Sequence, residues 1–356
     1  MRVLFITPYL SIDSYPEFSV NKTGFGYMVS DIAASLSEDI QVDVFASDSV
    51  GNESTFNGFR ILQRSYWNII ANMLKVTSLQ PIISVIKKYK LNYSSSIRFL
   101  YYWASTGYLN KIIADGNYDI IHIHDLSYSV IPWSDVCKSR NKPYLITLHA
   151  LKSFSDTVRL DANGKQFEQD FFRNLANTQY NLSVLSSGMK VKIGSTANNL
   201  NIKNVTVIPN ASFIDYGRSL DNIDIRSAYG INNDSKIILC VGNICKRKNQ
   251  GQLIRAFELL PEAITKNTYV YFLGGFPEQS YTKEELTKNC LLKDHYVFCG
   301  VVNKSKVCDY YSQANGVALL SESEAFGLSL VEGMQCGLPC LLFSDMEAFE
   351  EIYDSS

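Results

Sequence analysis

The chain predicts an α/β protein of two domains, each built on a parallel sheet. Three observations carry that expectation. At 356 residues the chain exceeds what one typical hydrophobic core supports. Residues 2–46 read strand, glycine loop, helix, strand, the opening of a nucleotide-binding α/β domain. A second strand–loop–helix pattern begins at Lys236, and residues 316–343 repeat strand, loop, short helix, strand.

The elements follow in order. The apolar run 2–9 is a first strand, too short for a secretory signal. Residues 21–27 (Asn-Lys-Thr-Gly-Phe-Gly-Tyr) form a glycine loop around Gly24 and Gly26. Residues 28–36 have helical apolar spacing, and 42–46 are the next strand. No lysine follows the glycines in the Walker position, which excludes a P-loop. Residues 118–125 (Tyr-Asp-Ile-Ile-His-Ile-His-Asp) and 143–149 (Pro-Tyr-Leu-Ile-Thr-Leu-His) are strands with polar ends. Side chains at carboxyl ends of parallel strands reach a ligand crevice, so His149 is a functional candidate and His122 a structural one. Residues 204–210 (Asn-Val-Thr-Val-Ile-Pro-Asn) close the first domain. The polar stretch 213–234 connects it to the second, giving domains 1–212 and 213–356.

In the second domain the strand 236–242 leads into a loop at Gly242 and Asn243 that carries Lys246, Arg247 and Lys248. A helix follows over 250–260, and strands recur at 268–273 and 296–299. The most informative segment is 321–344, Ser-Glu-Ser-Glu-Ala-Phe-Gly-Leu-Ser-Leu-Val-Glu-Gly-Met-Gln-Cys-Gly-Leu-Pro-Cys-Leu-Leu-Phe-Ser. A strand leads in over 316–320. A short helix starts at Gly327 or Leu328 and stops at Gly337, with Pro339 beyond. Glu324 and Glu332 flank the helix start. The N–H groups of Phe326, Gly327, Leu328 and Ser329 suit an anion, and the two carboxylates suit sugar hydroxyls on either side of it. A diphosphate with a sugar at each end fits that order.

A net charge of −2 carries no nucleic-acid footprint, and no apolar run reaches the about 18 residues of a membrane span. The eight cysteines include no C-x-x-C pair, which reads as free thiols in a reducing cytoplasm and gives no zinc site. Between Glu53 and Asp115 there is no acidic residue. Residues 60–111 hold Arg60, Arg64, Lys75, Lys87, Lys88, Lys90, Arg98 and Lys111, interleaved with Trp67, Tyr89, Tyr93, Phe99, Tyr101, Tyr102 and Trp103. Cationic and aromatic side chains together suit the surface of an anionic membrane.

The order glycine loop, His-x-His, Thr-x-His, Ile-Pro-Asn, Val-Gly…Lys-Asn, Gly-Gly, Phe-x-Gly, Glu-x7-Glu resembles the GT-B glycosyltransferases of family 4. The resemblance spans nearly the whole chain and is most specific at 321–339. It implies two Rossmann-like domains facing a central cleft, an acceptor side at 1–212 and a donor side at 213–356. It implies a retaining transferase that moves a sugar from a nucleotide-diphosphate donor to a glycan or lipid-linked acceptor. No cofactor is implied, and without an Asp-x-Asp no metal. By the same resemblance Glu324 faces the donor sugar, Glu332 holds ribose hydroxyls, Lys248 contacts the diphosphate, Gly24 lies near the phosphates and acceptor, and His149 lies near the transferred sugar. Catalysis is thus expected of Glu324, His149 and Lys248. Donor binding is expected of Glu332, Phe326, Gly327, Leu328, Ser329, Arg247, Asn243, Gly242, Gly24 and Gly26. Asn243 stands where the family often has arginine, which makes Arg247 the candidate for that charge. Ala211 stands where Ile-Pro-Asn usually continues to glycine. The family's C-terminal helices are absent from the sequence, so the second domain is expected to be incomplete. The setting expected is bacterial surface polysaccharide synthesis, in the cytoplasm or peripherally on the inner membrane face. A nucleotide-sugar epimerase of the same fold and an inactive nucleotide-binding remnant are the alternatives.

Overall fold

The computed structural model describes residues 1–15, 18, 24–47, 51–62, 64–73, 80–125, 127–154, 162–175, 180–197, 204–212, 223–343, 346, 348, 349 and 352. The chain divides into two compact units, Met1–Ile208 and Pro209–Ser356. The division falls at Pro209, where the sequence reading set it before residue 213.

The first unit runs β1 (Arg2–Thr7), α1 (Gly24–Leu36), β2 (Gln41–Ala46), β3 (Ser54–Phe56), β4 (Phe59–Ile61), α2 (Tyr66–Met73), α3 (Gln80–Lys88), α4 (Tyr93–Gly116) and β5 (Ile120–His124). It continues α5 (Val130–Ser139), β6 (Tyr144–Leu148), α6 (Ala162–Arg173), β7 (Leu182–Val184), α7 (Ser187–Thr196) and β8 (Val205–Val207). Its sheet has the order β3-β4-β2-β1-β5-β6-β7-β8, parallel except for the β3–β4 hairpin. β1 is buried at nearly every position, because helices cover both faces of a parallel sheet and its strands read as unbroken apolar runs. On the neighbouring strand β2 the buried Asp43 accepts from Arg2, Arg60 and Tyr118 at 2.6, 2.7 and 2.6 Å. Burial pushes the Asp43 carboxyl up, but those three donors outweigh it and hold it below its ordinary value.

The second unit runs α8 (Ile225–Ala228), β9 (Lys236–Val241), α9 (Gln250–Glu258), α10 (Glu262–Thr265), β10 (Thr268–Leu273), α11 (Lys283–Thr287) and β11 (Tyr296–Gly300). α12 (Lys304–Gln313), β12 (Gly316–Leu319), α13 (Leu328–Gln335) and β13 (Cys340–Leu342) complete it. The sheet order β11-β10-β9-β12-β13 is parallel throughout. β13 lies at the edge of this described sheet, the position expected of the last strand.

Both sheets reverse direction of growth beside their first strand. In the first unit the chain builds outward from β1 on one side, then returns to β5 on the other; in the second it leaves β9 toward β10 and returns to β12. In open parallel sheets ligands bind outside the carboxyl edge at such a reversal.

Two sequence expectations change. The predicted glycine loop is largely helix: α1 begins at Gly24, so Gly24 and Gly26 occupy its first turn, and residues 21–23 lie outside the described residues. The physical reason is packing. A Cβ on Gly26 would stand 2.2 Å from Ser11 Oγ, so α1 presses directly on the chain that leaves β1. Ser30 reinforces the contact by donating to the Ser11 carbonyl at 3.2 Å. The second change concerns the basic stretch. Arg60 is bound to Asp43 and to Glu53, at 2.7 and 3.3 Å, and Arg64 is buried with its guanidinium over the rings of Tyr66 and Tyr101. Lys88 pairs with Asp170 at 3.2 Å, and Lys75 lies outside the described residues. Tyr89, Phe99 and Tyr102 are core.

Candidate active site

In the second unit two loops leave the carboxyl ends of β9 and β12, which are neighbours in the sheet. The first, residues 242–249, ends in a short 3-10 turn, Lys246–Lys248, and Asn249 takes a left-handed conformation (φ 55°) to enter α9. Gln250, 1% exposed, fixes its shape from below: its side chain donates to the Asn243 carbonyl at 3.0 Å and accepts from the Cys245 N–H at 3.2 Å. Gly242 (φ 135°) crosses so close to Gly274 that a Cβ on Gly274 would lie 2.1 Å from the Gly242 carbonyl oxygen. Asn243 is exposed.

The second loop, residues 320–327, brings Glu324 to the first. Lys248 Nζ stands 2.5 Å from Glu324 Oε1, and Arg247 Nη1 stands 3.4 Å from the same oxygen. Arg247 also donates to the Ser323 carbonyl at 2.7 Å, and the Glu322 N–H donates to the Arg247 carbonyl at 2.8 Å. The Glu324 and Lys248 side chains are only 10% and 14% exposed, so the pair is screened little by solvent. Burial pushes the Glu324 carboxyl up, yet Lys248 and then Arg247 more than offset it, and the group is held below the usual carboxylate range.

Beyond Glu324 the chain turns into α13. Gly327 caps the helix with φ 86°, a conformation glycine adopts without strain, and a Cβ there would strike Phe349 at 2.6 Å. The first N–H groups of a helix have no intrahelical acceptor. Among the described residues no loop or cap hydrogen bond takes up those of Phe326, Gly327, Leu328 or Ser329. Glu332 lies in the second turn. The buried Tyr311 of α12 stands 2.9 Å from Glu332 Oε2 and 2.9 Å from the Ser329 carbonyl, one hydroxyl proton between two acceptors.

In the first unit His149 stands one residue past β6, and the ring of Phe25 packs perpendicular to it at 4.9 Å. His122, read as structural, is tied to Thr147 at 2.6 Å. Gly24 has open space where a Cβ would sit, whereas Gly26 does not. The structure thus brings Arg247, Lys248 and Glu324 into contact, places Gly327, Leu328, Ser329 and Glu332 on the adjoining helix start, and sets Gly24, Gly26 and His149 in the other unit. Gln250 and Tyr311 carry no motif of their own and escaped the sequence reading; Asn249, the αL entry to a helix, is the one signal that the loop before Gln250 is shaped.

Residues 23–211 match the family model described as Glycosyltransferase Family 4, and residues 221–355 match Glycosyl transferases group 1. The chain belongs to glycosyltransferase family 4. N-acetyl-alpha-D-glucosaminyl L-malate synthase of Bacillus anthracis is 31% identical over 121 residues, which are 34% of this chain and 30% of that protein. The chain therefore matches under a third of that relative's length. Sucrose-phosphate synthase from Thermosynechococcus elongatus superposes with a TM-score of 0.69 at 18% identity, over 99% of this chain and 83% of that one. Anabaena HepE, solved in complex with UDP-glucose, superposes with a TM-score of 0.63 at 16% identity, over 99% and 83%. At such identities the likeness establishes the GT-B fold.

Proposed function

We propose that this chain is a retaining glycosyltransferase that moves a sugar from a nucleoside-diphosphate donor to a glycan or lipid-linked acceptor in the assembly of a bacterial surface polysaccharide. The contact of Arg247 and Lys248 with Glu324, where the loops leaving the neighbouring strands β9 and β12 meet, carries the reading. Two cations and a carboxylate meet there, and the helix that carries Glu332 starts just beyond Glu324, after Gly327, a set that suits a sugar diphosphate. The Anabaena protein's complex with UDP-glucose makes a uridine nucleotide the first donor to test.

In the proposed reaction the bond between the anomeric carbon and the diphosphate oxygen breaks, and the electron pair leaves with the phosphate. Lys248 and Arg247 stabilise that developing charge, and the start of α13 adds its dipole. Glu324 holds hydroxyls of the donor sugar and makes no covalent adduct; the acceptor hydroxyl attacks the face the diphosphate leaves and gives its proton to the departing phosphate oxygen. Glu332, aligned by Tyr311, accepts from the ribose. A screen of nucleotide sugars by donor hydrolysis and by transfer tests the reading. With the donor identified, Lys248→Ala should lower turnover about 100-fold or more, the scale of one oxyanion donor. Glu332→Ala should chiefly weaken nucleotide binding in calorimetry. A loss under about threefold for Lys248→Ala, below the scale of one such donor, removes its role. An epimer formed without acceptor replaces transfer by epimerisation.

The lipid-linked acceptor reading draws support from the first unit. Trp67 and Ile70 of α2, Ile83 of α3, and Tyr93, Ile97 and Leu100 of α4 are exposed. The last three recur at one helical face. Lys87, Lys90, Arg98 and Lys111 are exposed in the same stretch. Apolar side chains among cations suit insertion into an anionic membrane surface from the cytoplasmic side. Among the described residues no helix is long and apolar enough to cross a membrane. Vesicles containing phosphatidylglycerol should sediment the protein at low salt and release it as salt rises; no sedimentation at low salt ends this reading.

A further inference from the structure

The proposed reaction leaves unused a cluster of three histidines in the first unit. Register pairs His124 of β5 with Thr147 of β6, and alternate residues of a strand share a face. His122, His124, Thr147 and His149 therefore meet on one side of the sheet. Phe5 of β1 flanks them, its ring 5.0 Å from that of His122 and 4.5 Å from that of His124. Thr147 Oγ1 takes up His122 Nε2 at 2.6 Å and Ser183 Oγ at 2.5 Å. His124 Nδ1 stands 3.1 Å from His149 Nε2, with the two rings nearly parallel at 17°. Neither His124 Nε2 nor His149 Nδ1, both buried, has a partner.

We infer that His124 is a positioning residue that holds His149 in the tautomer carrying its proton on Nδ1, so that His149 meets the ligand as a hydrogen-bond donor. Burial keeps the rings neutral: it pushes His122 down to about 4 and His149 to about 3, and it takes His124 lower than its ordinary value with the other two rings adding to the effect. A neutral imidazole has one N–H and one bare nitrogen. The 3.1 Å contact therefore holds a single proton, and its direction sets both rings. If His149 donated, the N–H of His124 would be stranded on Nε2 in a residue 1% exposed, where no ligand arrives. A buried N–H without an acceptor is among the rarest arrangements in proteins. If His124 donates, the spare N–H falls on His149 Nδ1, itself buried in the free chain but in a half-buried residue just past the strand end. An oxygen of a sugar or phosphate that displaces what covers that nitrogen can accept it. The second arrangement gives both N–H groups an acceptor once ligand is present.

The consequence for turnover rests on the reading of His149 as a residue near the transferred sugar; the tautomer does not, and the test separates them. The sequence has four histidines, so long-range proton–nitrogen correlation on the ¹⁵N-histidine-labelled full chain is tractable, with His149→Gln supplying the assignment. His149 is expected to show a protonated Nδ1 and a bare Nε2. His124→Phe, which removes the donor and keeps a ring, should shift His149 toward the Nε2–H form and lower kcat/KM about tenfold, the worth of one hydrogen bond. His124→Asn, whose amide can donate from near the Nδ1 position, should restore both. A protonated Nε2 on His149 in the unaltered chain overturns the proposal, as does a His149 spectrum indifferent to His124→Phe. Should His124→Phe fail to fold, the unaltered chain and His124→Asn still decide. A tautomer that shifts while turnover holds supports the positioning role and overturns the part given to His149 in transfer.

Discussion

At the residue scale, the fate of Glu324 shows how one carboxylate serves two purposes. Its charge is costly to bury, and it stays ionised only because Lys248 and Arg247 lie beside it. A carboxyl depressed in the folded state contributes stability that is present above its unfolded value and is lost as pH falls through the folded one. Glu324→Gln should therefore melt below the parent chain by a margin widest near neutral pH and shrinking as pH falls below about 5. Thermal melts at a series of pH values check this, and a margin that grows toward acid sinks it. The motif residues Glu324, Glu332 and Lys248 were legible in the sequence because their chemistry and spacing are local. What was not legible is that Lys248 lies against Glu324, a contact between residues far apart in sequence that only the neighbouring of β9 and β12 creates. Gln250 and Tyr311 were hidden for a related reason. Buried amides and hydroxyls act through partners that a linear reading does not display.

At the element scale, the periodic and apolar elements were readable and the irregular ones were not. The strand predicted at 268–273 is β10 without change, and that at 236–242 is β9 less its last residue. Continuous apolar runs mark buried parallel strands plainly. The β3–β4 hairpin went unread although Asn57 and Gly58, with φ of 43° and 88°, form the Asn-Gly turn that favours such a hairpin. Its strands are too short to show alternation. α1 was started late because glycine is a poor helix former, and here tertiary packing on Ser11 overrides that preference. α2–α4 were seen as composition, and only the structure separates Arg60 and Arg64, committed to the fold, from the exposed cations. α13 supplies the prediction at this scale. Gly327→Ala meets both a positive φ and the Phe349 ring, so it should cost about 2 kcal/mol in urea unfolding. Unaltered stability would mean that Phe349 yields and that the cap is not held as described.

For the whole molecule, the proposed function places donor recognition in the second of the two units. A nucleoside diphosphate added to the full chain should slow amide exchange in residues 242–250 and 321–332, and raise the melting temperature with ligand concentration. Lack of protection in both segments would remove the donor site from the second unit. The resting contact of Lys248 with Glu324 has one more consequence under the proposed reading. The carboxylate is an internal competitor for the cation that the diphosphate seeks. Measured donor affinity is then a difference between two ion pairs. The exchange also sets an order of events: the diphosphate arrives, the lysine changes partners, and Glu324 turns to the sugar hydroxyls only afterwards. A sugar without its diphosphate would find that carboxylate still occupied, so the chain discriminates against free sugars before any chemistry begins.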